Sequence, residues 1–338
     1  MLTMSTASFY FAQSTQDTLG KDTSIDEVVL TGVADIARDR KTPVAVSTIK
    51  EAQITEKLGN QEFPEILNTT PSVYATKSGG GFGDSKIGIR GFDQINIAVM
   101  VNGMPVNDME NGAVYWSNWA GLSDVTSAMQ VQRGLGSSKL AIASVGGTIN
   151  IFTRAADKKQ GGIVTAGVGN DGYYKSSFAY NTSKSEKGWS SSFLLSRTTG
   201  NTYADGTKFE GYNYYFALGF QPNEKHDFQF TFTGAPQEHN QRSYQIKLSE
   251  LLKYGKDGKP NRRYNSDWGY LNGEEFSNRA NYYHKPVMSL NWDYKISSNS
   301  KLNSVAYASF GRGGGTGDLG TVGGKRLSTF RDATTGLY

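Results

Sequence analysis

The chain has 338 residues, no cysteine, three histidines and a formal net charge of +4, which excludes disulfides, zinc–thiolate sites and cysteine nucleophiles and leaves little for a metal enzyme. No Lys/Arg run of the kind that tracks a phosphate backbone is present, so nucleic acid is not an expected partner. Forty glycines and 12% aromatics describe a chain of strands and turns rather than of helices.

Residues 1–12 form a short apolar stretch ending at Ala12-Gln13 that reads as the remnant of a secretory signal peptide. It lacks a basic n-region and Tyr10 suits a cleavage site poorly, so a true start elsewhere or a plain disordered start is the other reading. Residues 13–32 are a polar linker in which Ile25, Asp26, Glu27, Val28, Val29, Leu30 and Thr31 stand out as hydrophobic and β-branched. Such a segment suits addition as an edge strand to another protein's sheet; a leading strand of the next domain is the plainer alternative.

Residues 33–155 mix short strand patterns, helical stretches and glycine turns, as a small α+β domain does. A helix is predicted over residues 60–67, with Pro64 in its first turn and Pro71 beyond its end, and a second opening at Leu122–Val125. From residue 160 to 338 the pattern becomes strict two-residue alternation. Tyr212, Tyr214, Phe216, Leu218 and Phe220 alternate with Asn213, Tyr215, Ala217 and Gly219; Phe228, Phe230 and Phe232 with Gln229, Thr231 and Thr233; Met288, Leu290, Trp292 and Tyr294 with Ser289, Asn291 and Asp293. Each segment therefore has one apolar and one polar face.

A soluble β-sandwich also alternates. Segments of roughly nine to twelve residues, with aromatics toward their ends, match strands that cross a bilayer at a tilt and carry aromatic girdles. Short polar links at 182–187, 221–226 and 297–300 also alternate with long ones at 199–210 and 235–281, as inner turns and outer loops of a barrel do. About seven such strands leave unpaired edges in lipid, so part of a longer barrel is expected. No run approaches the ~18 apolar residues of a spanning helix.

Three motifs in residues 24–154 resemble, in order, those of TonB-dependent outer-membrane receptors. Ile25 to Gly32 is similar to the TonB box in the form common among Bacteroidetes. Ile87-Gly88-Ile89-Arg90-Gly91-Phe92 with Val99-Met100-Val101-Asn102-Gly103-Met104-Pro105-Val106 resembles the plug core, Asn102 standing where Asp is usual. Val131-Gln132-Arg133-Gly134 and Ala143 to Arg154, containing Gly146, Gly147 and Asn150, resemble the closing signature, with Leu135 in place of Pro. The resemblance implies an α+β plug followed by antiparallel transmembrane strands, about seven of roughly 22. It also implies outer-membrane lipid around the wall, TonB with its ExbB/ExbD motor as partner, no catalytic residues and no cofactor. The cargo is a small nutrient such as a siderophore, cobalamin, glycan or peptide.

Arg90 and Arg133, each before a glycine, are expected either to bind carboxylates of the barrel wall or to stabilise local turns. Gly146-Gly147 reads as a tight turn without ligand contact. Carried over by position, the ligand-facing loops are 78–84, Asp93-Gln94 and 107–119, where Tyr115, Trp116 and Trp119 are expected either to meet ligand or to pack the plug. The long stretch at 235–281, with the Arg262-Arg263 pair, reads as a cap over the mouth or as an irregular surface loop. The glycine clusters at 79–83 and 134–136 lack the context of a phosphate cradle, and no Gly-x-Ser-x-Gly elbow with a credible His and acid occurs. A receptor-transporter is expected. An adhesin anchored by a barrel, a carbohydrate importer with a lipoprotein lid and a soluble sandwich module remain as alternatives.

Overall fold

The structure is a computed structural model that describes the backbone of residues 7–10 and, in full, residues 45–78, 81–83, 85–134, 144–153, 158–242 and 246–338. The segment Ile25 to Thr31, Arg154 and most of the signal-peptide stretch lie outside the described residues. Strand β1 (Ala7–Tyr10) runs antiparallel to the first wall strand. The plug begins with β2 (Ala45–Lys50) and α1 (Glu51–Leu58). It continues through β3 (Val73–Lys77), β4 (Ser85–Ile89), β5 (Phe92–Asp93), β6 (Ile97–Val101), β7 (Met104–Pro105), β8 (Ala128–Arg133) and β9 (Gly147–Phe152).

Its main sheet has the order β2-β8-β9-β6-β7, with β6 and β9 parallel and the other pairs antiparallel. The middle strands are covered on both faces, which is why Ile97–Val101 and Gly147–Phe152 read as continuous buried runs rather than alternating ones. The helix α1 lies in a stretch with no helix predicted. Only Ile54 and Leu58, one turn apart, are apolar and buried, while Gln53 accepts the Lys50 N–H at 3.0 Å to start it.

The helix predicted at residues 60–67 is a 3₁₀ segment, Phe63–Thr69, with Pro64 in its first turn. Four of its seven side chains are buried without a 3.6-residue stripe, and Asn68 pulls the chain back by bonding both N–H and C=O of Ala75. At Leu122 a single 3₁₀ turn stands where a helix was expected to open, because the Thr126 hydroxyl takes the Leu122 carbonyl at 2.7 Å that a helical N–H would use.

The wall consists of β10 (Gly161–Val168), β11 (Tyr174–Asn181), β12 (Trp189–Asn201), β13 (Lys208–Asn223) and β14 (His226–Gly234), followed after a long excursion by β19 (Val287–Lys295) and β20 (Lys301–Ser309). Neighbours pair antiparallel in sequence order and the sheet is open at β20. The excursion carries β15 (Gln237–Asn240), α2 (Leu248–Lys253), β16 (Trp268–Leu271), β17 (Glu274–Ser277) and β18 (Ala280–His284). Strands β15 and β18 continue the wall above β13, and β18 pairs with β21 (Arg312–Gly315). The stretch is thus an ordered lobe rather than an irregular loop. The supposed long link at 199–210 is half strand, since Gly200 pairs with Phe209 and Asn201 with Lys208, and the first connection at that end, 169–173, is short.

Wall side chains are distributed opposite to those of a water-soluble sheet. Asn213, Tyr215, Ala217, Gln229, Thr231, Ser289 and Asn291 are buried against the plug, while Tyr212, Phe216, Phe232, Met288 and Leu290 are exposed. Such an apolar exterior has the pattern of a lipid-facing barrel wall. One row of it is aromatic across four strands: Trp189, Phe220, Phe228 and Trp292 sit directly opposite one another, stacked with ring separations of 4.2, 6.4 and 5.8 Å. On the far side the first charged pair, Arg197–Glu210, lies beside Tyr212. From Tyr212 to Phe220 the strand covers roughly 26 Å, about 20 Å of height at the usual barrel tilt, close to the apolar band of a membrane barrel.

Candidate functional site

The two motif pairs of the plug core are hairpin turns. Arg90-Gly91 joins β4 to β5 between the paired residues Ile89 and Phe92, and Asn102-Gly103 joins β6 to β7 between Val101 and Met104. All four residues have positive φ: 53° and 82° in the first pair, 50° and 81° in the second. A two-residue hairpin demands that geometry, and glycine and asparagine adopt it at least cost.

The second hairpin is also the point where plug meets wall. The Asn102 side chain accepts the Thr153 N–H at 2.8 Å and donates to the Thr153 hydroxyl at 2.7 Å. From the wall, the Tyr215 hydroxyl donates to the Thr153 carbonyl, Gln229 donates to that same carbonyl at 3.1 Å, and Asn291 donates to the Asn102 carbonyl at 2.6 Å. Every member is nearly or wholly buried, and none is charged. The latch therefore draws its strength from neutral hydrogen bonds, with only the Asn291 Oδ1 among its side chains left without a partner among the described residues, and such bonds are costly to leave half-made in a dry seam. Toward β10 and β11 the seam adds a Lys175–Asp124 ion pair at 3.1 Å and a bond from Asn60 to the Val168 carbonyl. The members Thr153, Tyr215, Gln229 and Asn291 were not anticipated. Their signal is that Tyr215, Gln229 and Asn291 are long polar side chains on inward faces that carry many small Ser, Thr, Ala and Gly residues.

Residues 38–148 match the family model described as TonB-dependent Receptor Plug Domain. The chain carries a TonB-dependent receptor plug. It is 28% identical over 199 residues to the vitamin B12 transporter of Vibrio cholerae, covering 57% of this chain and 31% of that protein. In fold it is similar to the ferric-catecholate import receptor Fiu of E. coli, with a TM-score of 0.61, 15% identity, and coverage of 80% of this chain and 39% of that one. It is likewise similar to the ferripyoverdine receptor of the outer membrane of Pseudomonas aeruginosa, at a TM-score of 0.57 and 16% identity over 76% of this chain and 33% of the other. The chain thus spans less than half the length of these relatives.

Among the described residues the two motif arginines of the plug meet no wall carboxylate. Arg90 is exposed, and its guanidinium lies over Gly134, where an added Cβ would stand 2.7 Å from Nη1. Arg133 donates to the Pro71 carbonyl at 3.0 Å and the Ser47 hydroxyl at 3.2 Å, both in the plug. Gly147, at φ 152°, opens β9 so close to β8 that a Cβ would lie 2.3 Å from the Gln132 carbonyl; at Gly146 a Cβ would lie 2.7 Å from the Phe92 Cβ. Asn150 is fully buried within β9.

Trp116 and Trp119 are buried in the plug core, Trp116 meeting Phe63 edge-on and donating to Gln94 at 3.1 Å. Both sit in the plug core, as the packing alternative for this loop has it. Asp93 and Tyr115 are exposed, and Gln94 is held by Trp116 and the Val114 carbonyl. No cluster able to hold a metal and no helix long and apolar enough to cross a membrane occurs among the described residues.

Beside the wall, burial, helped by the repulsion of Glu65, pushes the Glu62 carboxyl up to about 7 against the opposing pull of Lys77, the Gly83 backbone and Lys175. The folded plug then keeps a proton that the unfolded chain releases near pH 4.5, so Glu62 lowers stability as pH rises from about 4.5 to 7. Glu62→Gln is expected to melt with the parent at pH 4 and above it at pH 8. Parallel melting curves at both pH values would disprove that role.

Proposed function

We propose that this chain is the plug and leading wall of an outer-membrane importer that binds a scarce nutrient at the end carrying the 235–286 excursion and passes it to the periplasm. In this reading Ile25, Asp26, Glu27, Val28, Val29, Leu30 and Thr31 engage TonB, and the ExbB/ExbD motor supplies the energy that loosens the plug. The observation that carries the proposal is the combination of an apolar exterior with a polar interior latched to a TonB-dependent receptor plug. An adhesin needs the exterior but has no use for a releasable stopper. The relatives' names, vitamin B12 transporter and ferric-catecholate receptor, supply cargo classes to try first.

Deleting residues 25–31 in the full-length protein is expected to abolish uptake while cells still bind ligand at the surface. Uptake at the parental rate would overturn the coupling; loss of binding as well would mean that the deletion had damaged the receptor rather than its drive.

A further inference from the structure

At the end of the wall opposite the 235–286 excursion, the short turns carry Lys184, Lys187, Lys225, Lys295 and Lys301, all exposed, against two acids, Glu186 and Glu224. Among the described residues none of these lysines meets a carboxylate; Lys184 donates to the neutral Gln221 amide oxygen at 2.6 Å. Three of them form a row across three strands. Lys295 stands directly opposite Lys301, and its N–H donates to the Lys225 carbonyl at 2.8 Å. With strands about 4.8 Å apart, the row spans roughly 10 Å. Like charges set opposite one another destabilise a sheet, so such a row is at ease only beside an anion. The nearest strand acids, Asp227 and Asp293, oppose each other one layer further along the inner face, and Asp293 accepts from the Asn303 amide at 2.8 Å.

The outer face beside the row suits the same anion. One residue along the strands, His226 and Tyr294 stand opposite each other with rings stacked at 4.4 Å, and the Trp292 indole N–H donates to His226 Nδ1 at 3.2 Å. A histidine that accepts at Nδ1 carries its proton on Nε2, so the ring keeps an N–H to offer beside the Tyr294 hydroxyl. The exposed Leu302 and Ile296 and the aromatic row from Trp189 to Trp292 supply apolar surface next to these donors. Alternation turns the three lysines toward the inner face, but they end their strands, and four-carbon stems carry the ammonium groups around the rim. Cations at the rim, neutral donors above them and an apolar band above those match, in order, the headgroup phosphate and acyl chains of a lipid. A soluble polyanion would use the lysines and leave the apolar band unused.

We propose that this rim holds an anionic diacyl phospholipid of the phosphatidylglycerol type in a discrete site between the lysine row and the His226–Tyr294 pair. The inference goes beyond the importer reading and shares with it only the lipid-facing wall.

The test places purified full-length receptor in nanodiscs of equal parts phosphatidylglycerol and phosphatidylcholine with matched acyl chains, and counts the lipids retained on the protein by native mass spectrometry. Phosphatidylglycerol is expected to be preferred by about fivefold or more, and less so as salt is raised. Changing Lys225, Lys295 and Lys301 together to Gln should remove the preference, and changing all three to Arg should keep it. Changing Lys247, Lys256 and Lys259 of the excursion to Gln, an equal loss of charge at the other end, should leave it intact. Tyr294→Phe should lower it by about twofold or more. The heat-dependent gel shift confirms that each variant is folded before it is scored. Retention of both lipids alike, or equal loss of preference in the two glutamine triples, overturns the site and leaves the lipid-facing wall standing; retention of neither lipid overturns both. Displacement of the lipid by soluble peptidoglycan fragments would assign the lysines to the cell wall and overturn the lipid site.

Discussion

Asn102→Leu is expected to free the plug from its wall, lowering the stability of the plug by about 2–5 kcal/mol and making the pore leak. Two costs add. A leucine held at φ near 50° bears a left-handed strain of ~1–2 kcal/mol, and the Thr153 N–H loses its partner in a buried seam, worth ~1–3 kcal/mol. Against a domain stability of ~5–15 kcal/mol the sum is a large fraction. Asn102→Gly separates the terms, because it keeps the backbone freedom and loses only the amide. Asn102→Asp should be mild: the carboxylate still accepts from the Thr153 N–H, and the Thr153 hydroxyl can turn to donate to it. Tyr215→Phe attacks the latch from the wall side and should cost ~1–3 kcal/mol without touching the hairpin. Thermal melts of the plug and single-channel conductance in planar bilayers read both effects. An Asn102→Leu pore as tight and as stable as the parent would show that the latch does not hold the plug.

Phe216→Arg is expected to block membrane assembly. Phe216 lies midway between the aromatic row at Phe220 and the charged pair beside Tyr212, and it is 42% exposed between Phe193 and Phe232 on the neighbouring strands. An arginine at mid-membrane depth on the outer face of a barrel costs ~2–4 kcal/mol beyond the loss of the phenylalanine. On a soluble sheet the same change at an exposed position would be harmless or helpful, so the variant discriminates between the two architectures. Phe216→Trp keeps the apolar surface and serves as the control. Folding into lipid vesicles, followed by the heat-dependent shift of the band on a gel, is the measurement. Equal assembly of the arginine variant would disprove the lipid-facing assignment.

How far the sequence carried the fold depended on whether the deciding interaction was local. The faces of β13, β14 and β19 were legible because alternation acts residue by residue, and the buried set Asn213, Tyr215 and Ala217 is the polar face read from the letters. The hairpin pairs Arg90-Gly91 and Asn102-Gly103 were visible as motifs, though not as turns. The latch was hidden, since Thr153 meets Tyr215 across 62 positions and Asn102 meets Asn291 across 189, and only the docking of plug on wall brings them together. For Trp116 and Trp119 the letters left packing and ligand contact open, because polar Ser117 and Asn118 lie between them. At α1 the apolar stripe of two residues was too thin to register as a helix.

The inner face of the wall has one further consequence. Ser190, Ser192, Ser196, Gln229, Thr231 and Asn291 carry short hydroxyls and amides. These are groups for which water is nearly as good a partner as the plug. Were the plug to withdraw as proposed, the surface uncovered on these strands would be a wettable lining of hydroxyls and amides in which Lys175 is a rare fixed charge, offering a passing solute many weak handholds and few places to stick.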